Sequence, residues 1–141
     1  MSDFNLRGAN PQAGFGLARQ LMVLGGTFAI TTGMLASAKT TDLFDIPEGF
    51  TPVRFRFIPS DMDTNGTPTL VLAVGDSGDD DRLITANTGG QTGTATLDAL
   101  VASTGFLYRY PAQSVAILKA TTAAATAVAG TLTALLEGYI A

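Results

Sequence analysis

The chain has 141 residues, a net charge of −4, and no His, Cys or Trp. Those absences remove the usual proton shuttle near neutral pH, the thiol nucleophile, the thiolate metal site and the disulfide, and they argue against an enzyme. Its eight Lys and Arg residues are scattered, with no cluster denser than Arg54-Phe55-Arg56, so the basic patch of a nucleic-acid reader is missing.

Residues 1–17 are rich in Gly, Asn, Gln and Pro, and Phe4, Leu6, Phe15 and Leu17 are spaced too irregularly for a helix face. This segment reads as an extended N-terminal arm whose apolar side chains dock on a partner. Residues 18–141 read as one folded domain. Gln20–Leu24 and Thr27–Thr32 have strand character, separated by Gly25-Gly26 as a turn or bulge. The span from Leu21 to Ala38 is uncharged and ends in Ala36-Ser37-Ala38, as an export signal would. Gly25, Gly26, Gly33, Thr27, Thr31 and Thr32 interrupt it, however, so strands joined by glycine turns are expected and no membrane segment.

Thr40–Asp45 continues the strand pattern, and Asp45-Ile46-Pro47-Glu48-Gly49 is a turn into Thr51–Pro59. There Val53, Phe55 and Phe57 are expected on one face, with Arg54, Arg56 and Ile58 on the other. Asp42, Asp45 and Glu48 sit near a single turn, so no opposed acid pair for glycoside hydrolysis is indicated. Asp61-x-Asp63-x-Asn65-Gly66 matches the first half of a calcium loop. Its twelfth position is Leu72 instead of a bidentate Glu, and the segment reads as a polar hairpin loop capped by Asp and Asn.

The clearest strand signal runs from Thr67 to Asp76, where Leu70, Leu72 and Val74 alternate with Thr69, Val71 and Ala73. Gly75-Asp76 and Ser77-Gly78 are turn dipeptides, and Arg82–Thr85 re-enters as a strand. Asp76, Asp79, Asp80 and Asp81 form the densest charge cluster. It reads as a solvated acidic turn with Asp79 or Asp81 pairing Arg82. It is also the candidate metal site, since carboxylates suit Ca²⁺ or Mg²⁺ and a cation would relieve their repulsion. No other cofactor is expected.

Asn87 to Thr94 is a Gly/Thr-rich loop without the Lys-Ser/Thr of a phosphate-binding loop. Ala95 to Ser103 places Leu97, Leu100 and Val101 at helical spacing, predicting a short helix or an irregular crossing loop. Phe106–Tyr110, Val115–Thr121 and Thr126–Leu136 complete the strands. The row Phe106, Tyr108 and Tyr110 reads as core or interface packing, with a sugar-stacking strip as the alternative. Eight to ten short strands imply an all-β, two-sheet sandwich of jelly-roll or Greek-key type.

Leu43-Phe44-Asp45-Ile46-Pro47-Glu48-Gly49, then Asp61 to Gly66, then Val74-Gly75-Asp76-Ser77-Gly78-Asp79 with Asp81-Arg82, and the late Tyr108-x-Tyr110, form a pattern. It resembles that of small tailed-bacteriophage virion proteins of the head decoration, or cement, type. The resemblance implies a β-sandwich structural subunit on the outer surface of the capsid. Its partners would be the major capsid protein and copies of itself, as a homotrimer. Only 14% of the residues are charged, which fits a surface largely covered by other subunits. The alternative is a tail or receptor-binding component, a glycan-binding sandwich module that exposes Tyr108, Tyr110 and the Asp76–Asp81 loop together.

Overall fold

Alternation of apolar and small polar residues along short segments produces strands and little else. The computed structural model describes residues 21–100 and 104–140. Among the described residues seven strands run in chain order: β1 (Met22–Ile30), β2 (Thr40–Ile46), β3 (Phe50–Pro59), β4 (Val71–Gly75), β5 (Ile84–Asn87), β6 (Ser114–Thr122) and β7 (Gly130–Ile140). They form two antiparallel sheets, ordered β1-β7-β3 and β2-β6-β4-β5. Only β4 and β5 are neighbours both in sequence and in a sheet. The C-terminal strands fill the centres, β6 between β2 and β4, and β7 between β1 and β3. The molecule is therefore a sandwich built by crossovers, and no sheet closes until the end of the chain arrives.

The core lies between the sheets. Leu132, Ala134 and Leu136 of β7 are fully buried, as are Phe55 and Phe57 of β3, Leu72 and Val74 of β4, and Ala116, Leu118 and Ala120 of β6. Each large side chain so removed from water contributes about 1.5–3 kcal/mol. Phe50 packs directly under β7 because residue 138 is glycine; a Cβ there would lie 2.2 Å from the Thr51 carbonyl oxygen and 2.7 Å from the Phe50 ring. No helix among the described residues is long and apolar enough to cross a membrane.

Several local expectations are corrected. Gly25-Gly26 does not divide two strands. β1 pairs with β7 in unbroken register from Met22 opposite Gly138 to Ile30 opposite Gly130, and this ladder overrides the turn propensity. Gly25 meets the demand with a φ of +106°, and a Cβ there would lie 2.1 Å from the Ala134 carbonyl oxygen. Beyond Ile30 the chain makes a 3₁₀ turn at Thr32–Leu35, which buries Leu35. Val53 falls at a bulge, where the register shifts between Pro52 and Arg54, and is only half-buried.

Phe106–Tyr110 is not a strand. It turns at residues 104–107, with Leu107 at a φ of +62°, leaving Phe106 and Leu107 about half exposed. The segment laces the outer edge of β3 instead, through Leu107 N–H to Pro52 and Tyr110 N–H to Phe50. Of the two readings for Ala95 to Ser103, the described part, residues 95–100, takes the irregular crossing loop and not the helix. Thr96 bridges to Phe57, and Ala99 N–H donates to Phe55. The last strand begins at Gly130 instead of Thr126, because residues 125 and 126 are held by Asp63. The arm with Phe4, Leu6, Phe15 and Leu17, and Val101, lie outside the described residues.

Candidate functional site

The acidic turn leaves β4 through Gly75, where the chain doubles back so tightly that a Cβ would lie 2.1 Å from the Asp79 carbonyl oxygen. Asp76 faces inward and is 5% exposed. Its Oδ1 accepts the N–H groups of Gly78 at 2.9 Å and Asp79 at 3.0 Å, and its Oδ2 accepts Arg82 Nε at 2.7 Å. Arg82 also donates to the Thr104 carbonyl at 3.2 Å and lies 3.6 Å from the centre of the Tyr108 ring. Burial would lower the Arg82 pKa, but the paired Asp76 carboxylate holds it above the ordinary value. Tyr108 meets Tyr110 edge-on at 5.0 Å.

Tyr110 is 2% exposed, and its hydroxyl is buried beside the Asp76 carboxylate without a hydrogen bond of good geometry. Burial, then the nearby Asp76 charge, pushes its pKa far above the ordinary 10. Asp76, Ser77, Gly78, Arg82, Tyr108 and Tyr110, together with residues 111–114, line an open cleft of about 210 Å³. The two tyrosines and the acidic loop thus do come together. They do not form an exposed aromatic row, since Arg82 covers the Tyr108 ring and Tyr110 is buried.

The other three aspartates face outward. Carboxylate oxygens of Asp79, Asp80 and Asp81 lie within 4.8 Å of one another. Asp80 accepts Lys119 Nζ at 2.7 Å. The Asp79 and Asp81 carboxylates compete for one shared proton, which holds Asp79 below the ordinary Asp value and pushes Asp81 above it. In donor type these three residues fit a hard cation. The same crowding is already relieved in part by the Lys119 ammonium on Asp80. Asp76, which the sequence places in the same cluster, is committed to Arg82.

The Asp61–Gly66 loop is a structural knot. Asp63 is 1% exposed, and its carboxylate accepts the backbone N–H groups of Asn65 and Thr126 on Oδ1 and of Thr69, Leu70 and Ala125 on Oδ2. Those donors fill the lone-pair directions of a carboxylate and leave none for a metal. Burial alone would raise its pKa, but the Thr126, Ala125, Thr69 and Leu70 N–H groups together hold it far below the ordinary value. Sequence spacing identifies Asp61, Asp63 and Asn65 as turn formers. It carries no signal for the partners at 125 and 126, which arrive only when the sandwich closes.

No family model and no curated protein matches this sequence. Solved structures do. A chain of the cyanophage Pam1 capsid asymmetric unit is similar at 29% identity with a TM-score of 0.76, covering all of both chains. A chain of the Ralstonia phage GP4 capsid matches at 23% identity with a TM-score of 0.73, over 95% of this chain and 92% of that one. Both neighbours come from phage capsids. The resemblance to phage virion proteins carried by Leu43–Gly49 and Asp61–Arg82 is borne out, and at the lower identity the likeness is one of fold.

Proposed function

We propose that this chain is a structural subunit of a bacteriophage capsid, without catalytic activity, acting as a decoration (cement) protein on the outer surface of the head. The observation that carries the reading is the end-to-end similarity to a chain of the Pam1 capsid asymmetric unit. The polar clusters support it. Asp63 and the Asp76–Arg82 pair spend their hydrogen-bonding capacity on their own backbone and neighbours, as in a rigid block, and the one buried side chain without a well-formed hydrogen bond among the described residues is Tyr110.

In this reading the sandwich spreads contact area across capsid subunits, and binding only to the assembled lattice stabilises it by mass action. The arm residues Phe4, Leu6, Phe15 and Leu17 would dock on the major capsid protein or on a neighbouring copy, and copies would group as a homotrimer. A cation on Asp79, Asp80 and Asp81 is no part of the reading.

The test is a cryo-EM map of the virion, paired with binding of Phe15→Ser protein to undecorated capsids. Density on the outer surface of the head and weakened binding by a folded Phe15→Ser variant are expected. Density confined to the neck, tail or fibres would overturn the cement reading in favour of a tail or adhesion component.

A further inference from the structure

Asn65-Gly66 is the one Asn-Gly pair in the sequence; Asn5, Asn10 and Asn87 are followed by Leu6, Pro11 and Thr88. Both residues are exposed, in the loop between Asp63 and β4. Glycine after asparagine leaves its own backbone nitrogen open to the asparagine side chain, because no Cβ shields it. A Cβ at residue 66 would meet no atom within 4 Å, so the neighbours do not shield it either.

The hydrogen bonds around the pair prepare one end of a reaction and leave the other free. Asn65 Oδ1 accepts the Thr67 N–H at 2.8 Å. That bond closes a ring of atoms containing both Asn65 Cγ and Gly66 N, an Asx turn, and keeps the side chain folded over the Gly66 peptide. It also polarises the carbonyl at Cγ and sets a donor where negative charge develops when a nucleophile adds there. Asn65 Nδ2 donates to Thr126 Oγ1 at 2.9 Å, and Asn65 N–H to Asp63 Oδ1 at 3.3 Å. The Gly66 N–H donates to no group among the described residues. Asn87 makes the same turn, its Oδ1 accepting the Gly89 N–H at 3.0 Å, but the branched Thr88 follows it and its Nδ2 is held by the Leu72 and Thr85 carbonyls.

We propose that Asn65 is a site of spontaneous covalent modification, where the side chain cyclises onto Gly66 N and ages to aspartate or isoaspartate. Gly66 N gives its proton to solvent and bonds to Asn65 Cγ. The Cγ–Nδ2 bond breaks, and Nδ2 takes a proton from water and leaves as ammonia. One water molecule then opens the five-membered imide. Attack at Cγ gives aspartate; attack at the main-chain carbonyl gives isoaspartate, with the chain running through Cβ and Cγ. Nothing is oxidised or reduced. Either product disturbs the Asp63 knot. A new carboxylate joins a loop that already holds Asp61 and Asp63, and the Nδ2 bond to Thr126 is lost. Isoaspartate also adds one main-chain atom between Asp63 and the Thr69 and Leu70 N–H groups that its carboxylate accepts. Ageing here therefore loosens the anchor for residues 125 and 126. The inference is independent of the capsid reading.

The test is peptide mapping by mass spectrometry of the full chain, incubated for weeks in mildly alkaline buffer, folded and in concentrated urea. The readout is conversion of amide to acid at residue 65, with isoaspartate scored by enzymatic carboxyl methylation. The folded chain is expected to convert at Asn65 within about tenfold of the unfolded rate, a barrier difference of no more than about 1.4 kcal/mol, with Asn87 intact. Gly66→Ala has room in the fold and is expected to slow conversion by about tenfold or more. Aged wild type should melt below fresh protein, while aged Gly66→Ala should not drift. A folded chain slower than that tenfold margin, conversion at Asn87 as fast as at Asn65, or Gly66→Ala converting at the wild-type rate would overturn the inference. If Gly66→Ala does not fold, the ratio of folded to unfolded rates in the wild type decides alone.

Discussion

Replacing Tyr110 by Phe deletes one oxygen from the buried wall of the cleft and should stabilise the protein. The hydroxyl is out of contact with solvent and lies beside the Asp76 carboxylate without a hydrogen bond of good geometry, so it recovers little of its desolvation cost. Such an orphan costs about 1–3 kcal/mol. Phenylalanine keeps the edge-on contact with Tyr108 at 5.0 Å and leaves only a small void. The net expectation is a gain of about 1 kcal/mol, or roughly 3–5 °C in Tm. Urea unfolding followed by circular dichroism at pH 7 measures it.

An alkaline series adds a second reading. Burial and the Asp76 charge raise the folded pKa of Tyr110 above the unfolded value of 10. Its contribution is therefore fully present below pH 10 and is lost as the pH rises from there towards the folded pKa, because the unfolded chain ionises first. Wild-type stability should fall above pH 10 more steeply than that of Tyr110→Phe. A variant destabilised by 1 kcal/mol or more at pH 7 would refute the reasoning, since it would mean the hydroxyl donates to Asp76.

Three further perturbations probe the rest of the frame. Arg82→Met leaves the Asp76 carboxylate, 5% exposed, without its cation and should cost about 3–5 kcal/mol. Adding Asp76→Asn should recover part of that loss in a double-mutant cycle measured by urea unfolding. Asp63→Asn should lower Tm at pH 7, because an amide cannot accept all the backbone donors that converge on the carboxylate. The depressed folded pKa of Asp63 means its contribution is present above the ordinary Asp value of 3.8 and is lost as the pH falls below it; melting curves of the variant should be flatter in that acid range. Val74→Asp buries a charge at a fully buried core position and should abolish the cooperative transition by circular dichroism, at a cost above about 4 kcal/mol.

Taken by itself, the sequence determined the class of the molecule. Leu70, Leu72 and Val74 alternate in the chain and are fully buried in the fold, because a strand with one buried face needs only period-two patterning. The Gly75–Arg82 turn was equally local: Gly and Asp at those positions can do little else. The absence of His and Cys narrowed the chemistry before any coordinates. Tertiary structure decided whatever depends on partners distant in the chain. Gly25-Gly26 reads as a turn until β7 arrives, more than a hundred residues later, and pairs straight through it. Phe106, Tyr108 and Tyr110 alternate like a strand, yet they line the edge of β3, where a positive φ at Leu107 turns Phe106 outward and leaves Tyr110 buried. Asp63 resembles half a calcium loop and becomes the anchor for residues 69, 70, 125 and 126. The physical reason is common to all three. Propensity acts over a few residues, whereas a ladder of backbone hydrogen bonds or a buried carboxylate draws its energy from groups that become neighbours only when the two sheets close.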